Sequence, residues 1–358
     1  MIPSSFHVEL KKRKRLMKKN VKFLSAIGMF LSFLPSTALA LNYLVTPLVS
    51  NTMSIVANNT DPNLINPWGL FFVPNSGQFW VADNGSNLAT LYGSNGVVLP
   101  VVKNVLSNPT GIKHNTTTTQ FKITKGLATA PASFVFATES GTVLGFNNSV
   151  DPLNAIIAVD NSATGAVYKG LDFGTNCCAN PQLFVTDFHN AKVDVFDGQF
   201  DLVLMLKDFT LPVGYAPFNI KLINNLIYVT YAKQKSPLNH DDDPGPGNGF
   251  VNVFNRSGSL ITRLISNGNL NSPWGLALAP ATFGQFSGSL LVGNFGDGKI
   301  NAYDPYTGAF HGQLQDALGN PIIIDGLWSL EFNSAGTLYF TSGPNGETNG
   351  LVGTITPL

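Results

Sequence analysis

The chain is poor in charge and in cysteine. Only 12% of its 358 residues are charged, against about 25% in an ordinary soluble domain. The formal charge of zero conceals an asymmetry. Residues 1–40 hold eight Lys or Arg and a single acid, Glu9. The remainder keeps thirteen basic and twenty acidic residues, a formal −7. A mildly acidic body without a basic stripe lacks the electrostatic footprint of a nucleic-acid binder. Cys177 and Cys178 are the only cysteines and are adjacent, which excludes a disulfide framework, a CxxC motif and a zinc cluster. A strained vicinal disulfide and a plain pair of loop thiols stay open as readings. So short a closed loop would stabilise little.

Reaction motifs are absent too. The chain has no Gly-x-Ser-x-Gly elbow, no His-Glu-x-x-His, no phosphate-binding Gly-x-x-x-x-Gly-Lys-Ser/Thr loop and no dinucleotide glycine fingerprint. Nucleophilic hydrolases, zincins and nucleotide-using enzymes lose weight accordingly. One apolar run stands out, residues 23–34, behind a basic stretch and ahead of Pro35-Ser36-Thr37 and Ala38-Leu39-Ala40. That order predicts a signal peptide over 1–40, with Leu41 as the mature start and a secreted or periplasmic destination. Met17 as an alternative start would shorten the basic region. An uncleaved anchor is the rival reading, but the run falls short of the ~20 residues a spanning helix needs. No membrane span is expected after cleavage.

What abounds is turn chemistry, with 35 Gly and 22 Pro. Past residue 41, short β-rich runs alternate with Gly, Asn, Pro and Asp clusters, and no amphipathic helix is found. A three-strand unit recurs, opening with Pro-x-Gly-apolar or a variant. Its copies occupy 68–72, 78–83 and 88–92; 110–112, 133–138 and 142–146; 168–173, 182–187 and 191–196; 218–222, 226–231 and 249–254; 274–278, 289–294 and 299–303; and 327–332, 337–342 and 351–356. Units start roughly 40–60 residues apart, the spacing of four-stranded propeller blades. The first five each add an outer run, at 97–102, 155–159, 202–206, 260–264 and 310–314. The sixth has none, and a spare strand lies at 43–49. The predicted fold is therefore all-β, a six-bladed β-propeller over 41–358, closed by the N-terminal strand pairing with the last blade. A twelve-stranded sandwich would leave the repeat unexplained. The stretches 114–125 and 232–248 are expected to be surface loops.

Several strings carry a resemblance. They include Asn66-Pro67-Trp68-Gly69, Phe79-Trp80-Val81-Ala82-Asp83-Asn84-Gly85, Asp187-Phe188-His189-Asn190, Tyr228-Val229-Thr230-Tyr231-Ala232-Lys233-Gln234, Asn271-Ser272-Pro273-Trp274-Gly275-Leu276, Gly293-Asn294-Phe295-Gly296-Asp297-Gly298 and Asp325-Gly326-Leu327-Trp328. Across nearly the whole mature chain they resemble an uncharacterised family of secreted bacterial, NHL-like propeller proteins. The resemblance implies export and a propeller, and transfers no activity.

Blade topology nominates one face. Loops between strands two and three emerge at the same end as the loops leading into strand one. Such loops usually carry function on a rigid ring. Binding-face candidates are Asp83, Asn84, Glu139, Asn190, Tyr231, Lys233, Asn294, Asp297 and Glu347, with Asn66, Asn219, Asn271, Trp68, Trp274 and Trp328 beside them. Three readings compete: turn-forming Asp and Asn, a Ca²⁺ site with Glu139, Asp187 and Asn294 as ligands, and a carbohydrate or small-ligand surface. His189, oriented by Asp187, is the candidate general base. The run His240-Asp241-Asp242-Asp243 is read as a solvated loop tip rather than a metal site. Trp68 and Trp274 are expected to pack between blades, and Asp197, Asn255 and Asp304 to cap turns. The expected function is binding of an unknown protein, glycan or small molecule by a monomer, with a metal-assisted hydrolase or lactonase, or an extracytoplasmic scaffold, as alternatives.

Overall fold

In the computed structural model, residues 42–358 are described. The predicted signal peptide, 1–40, lies outside the described residues. Six blades run in chain order, five of them four-stranded antiparallel sheets, with Pro67–Val73 to Val98–Asn104 forming the first and Pro273–Leu278 to Phe310–Gln313 the fifth; the sixth carries in addition the two-residue Asn59–Thr60, paired parallel to its outermost strand. In the sixth, Leu327–Phe332, Leu338–Ser342 and Leu351–Pro357 are completed by Tyr43–Ser50. That first strand pairs antiparallel with the last, from Tyr43 opposite Pro357 to Ser50 opposite Leu351. Inner strands of successive blades are neighbours, and that of blade six meets that of blade one. The ring is a six-bladed β-propeller, as the repeat predicts.

Burial explains the closure. Each interface between neighbouring blades holds its own apolar cluster, and a further cluster fills the axis. The first strand contributes Leu48 and Val49 to the junction of blades six and one, and Tyr43 to that of five and six. Left unpaired, the last strand would expose a long edge, which templates association.

The Pro-x-Gly repeat has a steric cause. A Cβ on Gly69 would lie 2.7 Å from the backbone nitrogen of Ile112 in the next blade, and one on Gly275 2.9 Å from the carbonyl oxygen of Trp328. Only glycine lets those inner strands approach so closely. The residue before each such position then lines the axis. Asn66, Asn108 and Ser272 precede the prolines with φ between 46° and 56°. Their carbonyls accept the backbone N–H of Asn84, Glu139 and Phe295 respectively. This clamp ties the lead-in loop to the loop between strands two and three, so the two loop sets share one face.

Three local expectations change. The stretch 114–125 is not simply a surface loop. It leads into a hairpin, Lys122–Lys125 with Ala128–Pro131, anchored by buried Phe121 and Ile123. Trp68 and Trp274 pack in the channel rather than between blades. The acidic run of blade four folds inward, as described below. Asp197, Asn255 and Asp304 do cap turns, accepting backbone N–H groups two to four residues on.

Candidate functional site

The axis is plugged. Trp68 and Trp328 stack with centroids 3.5 Å apart, Trp274 meets both edge-on, and half-buried Phe295 stacks on Trp328 at 4.1 Å. Below the plug the channel keeps about 20 Å³ of free space, room for about one water. At its far end Glu331 pairs with Lys221 at 2.5 Å and Lys113 at 3.4 Å. A ligand can therefore sit on the plug but cannot pass it.

Above the plug, several blades deliver polar groups to one mouth. Asn66 is bound on both sides of its amide. Its Oδ1 accepts from Trp328 Nε1 at 3.0 Å, and its Nδ2 donates to Glu347 at 2.7 Å and Asn84 at 3.2 Å. Asn84 Nδ2 donates in turn to Glu139 at 2.9 Å. The other Glu139 oxygen accepts from Lys169 Nζ at 2.5 Å. Lys169 is only 2% exposed and its ammonium lies 5.0 Å from the ring centroid of Trp68, a cation–π arrangement. One polar chain thus links blades six, one, two and three.

Blade four supplies the lid of this mouth. Its loop carries His240 and Asp241, joined at 2.8 Å, to Glu139, and one ligand atom from each of the three lies within 4.8 Å of the others. Asp242 is buried and its Oδ2 has no partner. The run is only in part the solvated tip expected: the side chains of His240, Asp241 and Asp243 stay 44%, 64% and 46% exposed, while Asp242 is buried and the loop is held by Asn271 Oδ1 accepting from Gly245 N and Asn248 Nδ2 donating to Asp243 O.

The charges sort by surroundings. Burial would raise the Glu139 carboxyl, but Lys169 and the Asn84 amide outweigh it and hold it below the usual range. Burial dominates at Asp242 and Glu347 and pushes both up. The hydrogen bond to Asp241 pushes the His240 imidazole up. The mouth is a graded acid–base cluster around one buried ammonium.

The nominated residues divide. Asn84, Glu139 and Glu347 meet at the mouth. Asp187 and Asn294 do not join Glu139: Asp187 is fully buried and accepts from Val167 N and Asn190, while Asn294 donates to Asn269 O and Asp297. The Asp187–His189 pairing is absent, since His189 Nδ1 bonds Leu238 O at 3.1 Å instead. Asp83 and Tyr231 are buried within blades, and Lys233 pairs with Asp243 at 2.6 Å. Sequence reasoning passed over Lys169. Aligning the repeats would have found it, because Lys169-Gly170 occupies the place of Trp68-Gly69 and Trp274-Gly275.

Fold and mouth define a six-bladed propeller with a sealed axis and a polar site on its loop face. No family model matches the chain. It is 35% identical over 339 residues to uncharacterized protein L690 of Acanthamoeba polyphaga mimivirus, covering 90% of this chain and 88% of that protein. Uncharacterized protein R648 of the same virus is 35% identical, covering 86% of this chain and 78% of the relative. The chain belongs to the family of these proteins. These relatives are viral, where the sequence resemblance points to bacteria. Among solved structures, a luciferin-regenerating enzyme aligns with TM-score 0.54 and 12% identity, over 88% of this chain and 96% of its own. The BBS1N chain solved with ARL6DN aligns with TM-score 0.50 and 14% identity, over 88% and 98%. Such likeness speaks for the fold alone.

Proposed function

We propose that this is an exported binding propeller that takes a hydroxyl-rich ligand, a glycan or a glycan-bearing partner, at the mouth above the tryptophan plug. One observation carries the reading. A partly exposed aromatic, Phe295 stacked on Trp328, lies beside the hydrogen-bonded carboxylates and amides of Glu347, Asn66, Asn84 and Glu139. Aromatic faces hold sugar rings while polar groups fix the hydroxyls. The test is a thermal-shift screen of the purified protein against glycans and free sugars. A ligand at a hundred times its Kd stabilises by about 2.7 kcal/mol. The reading expects a hit that His240→Ala with Asp241→Ala abolishes. Hits insensitive to every mouth substitution would sink it.

A divalent cation is the second reading, favoured by the convergence of Glu139, His240 and Asp241. A set containing an imidazole suits Zn²⁺ or Mn²⁺ better than Ca²⁺, which prefers oxygen alone. The Lys169 ammonium paired with Glu139 opposes a cation there electrostatically. Stabilisation by Zn²⁺ or Mn²⁺ that vanishes in His240→Ala would support it, and absence of any bound metal or shift would remove it.

A further inference from the structure

A second concave site lies on the opposite face. The turn between the first two strands of blade three carries Cys177 and Cys178, both exposed. Their sulfur atoms are 3.7 Å apart, in van der Waals contact. The turn is tightly organised. Asn176 Oδ1 accepts the backbone N–H of Cys178 and of Asn180, and Asn180 O accepts the N–H of Asn176. Cys177 lines a cleft of about 500 Å³ shared with Gln120, Asp197, Gln199 and Arg256. The cleft walls are braced by Gln199 Nε2 donating to Gln120 Oε1 at 3.0 Å and Arg256 donating to Thr175 Oγ1 at 3.0 Å. None of these groups belongs to the mouth.

We propose that Cys177 and Cys178 form a thiol–disulfide exchange site that reacts with small-molecule disulfides entering this cleft. Exposure gives access, a neighbouring thiol gives a resolving partner, and exchange proceeds through the thiolate fraction of the attacking cysteine. Cys177 faces the cleft and is the attacking thiolate. Cys178, with its sulfur 3.7 Å from that of Cys177, is the resolving thiol. The Cys177 thiolate displaces one thiolate from the incoming disulfide and forms a mixed disulfide. Cys178, losing its proton to water, then attacks the Cys177 sulfur and releases the second thiolate. The incoming disulfide is reduced to two thiols, and the two cysteines are oxidised to one vicinal disulfide. That ring is strained and exposed, so a dithiol reductant reverses the reaction readily.

The probe is oxidised glutathione, with intact mass and released thiol as readouts on the native, folded protein. The parent should lose about 2 Da and release two thiols per chain, a change reversed by dithiothreitol. Cys178→Ser should stop at the mixed disulfide and keep one glutathione. Cys177→Ser should react at least about tenfold more slowly than Cys178→Ser. A parent that retains glutathione, a parent that cross-links between chains, or equal rates in the two variants would each overturn the proposal. Both positions are exposed in a turn, and an unchanged melting temperature confirms that the variants fold.

Discussion

Removing the Tyr43 ring should cost the protein far more than its place near the start of the described chain suggests. The ring is 2% exposed, stacks on Phe286 and tilts against Phe283 at 4.9 Å. Its hydroxyl donates to Phe283 O at 3.0 Å. Truncating a buried aromatic costs about 3–5 kcal/mol, and the lost hydrogen bond about 1 kcal/mol. Unfolding entropy near 2.1 cal/mol/K per residue makes roughly 320 residues lose about 1.5 °C per kcal/mol. Tyr43→Ala should therefore lower Tm by about 6–9 °C, and Tyr43→Phe by about 1.5 °C, in differential scanning calorimetry. The alkaline limb gives a second reading. Burial pushes the phenol up to about 12. The folded pKa is raised, so its stability contribution is full below pH 10 and is lost as pH rises through about 12. Tyr43→Phe should remove that share of the alkaline decline. A Tm within 1 °C of the parent for Tyr43→Ala would refute the closure argument.

Asp83 should give an opposite signature to the ion-paired carboxylates. It is fully buried with Oδ1 unpartnered, and burial pushes its carboxyl well above the usual range. Its contribution is full below the unfolded value near 3.8 and falls as pH rises through the folded value. The stability gap between parent and Asp83→Asn, measured by urea unfolding, should therefore shrink or invert between pH 4 and 8; a constant gap would contradict this. At Asp208 burial is outweighed by Arg263 and Thr210, leaving a carboxyl at about 2, so its contribution is full above the unfolded value near 3.8 and is lost as pH falls through about 2; the stability gap between parent and Arg263→Met in urea unfolding should be widest at neutral pH and close on acidification toward pH 2, and a gap independent of pH would contradict this. Gly69→Ala should cost about 1–3 kcal/mol by forcing two blades apart, and a neutral result would count against the close approach. Lys169→Met should cost about 3–5 kcal/mol by stranding Glu139, with Lys169→Met/Glu139→Gln recovering much of it; strict additivity in this cycle would deny the coupling.

The ring was legible because its signals are local. Alternating apolar runs and the glycines opening inner strands can be read within single repeats, and the count of six strand triplets leaves one strand over at the start to complete the last. The hairpin after Phe121 was hidden because its Thr-rich approach reads as polar while two side chains anchor it. The mouth was half legible. Asn84, Glu139 and Glu347 follow from blade topology, but Asp187 and Asn294 occupy similar strand-end positions and turn inward to cap their own loops. Nothing within the run 240–243 announces that it folds back on Glu139. That placement is decided by contacts with Asn271 and Phe188 carbonyl far along the chain.

The plug also gives the molecule a built-in optical reporter. Of four tryptophans, three lie in the stack and only Trp80 stands in a blade. Two indoles at 3.5 Å behave as a coupled chromophore, and a third crosses them at right angles. The far-ultraviolet dichroism should carry an exciton couplet from this pair, which Trp328→Phe erases. Since Phe295 and the Asn66–Trp328 hydrogen bond join that chromophore to the rim, a ligand seated there should shift the tryptophan emission.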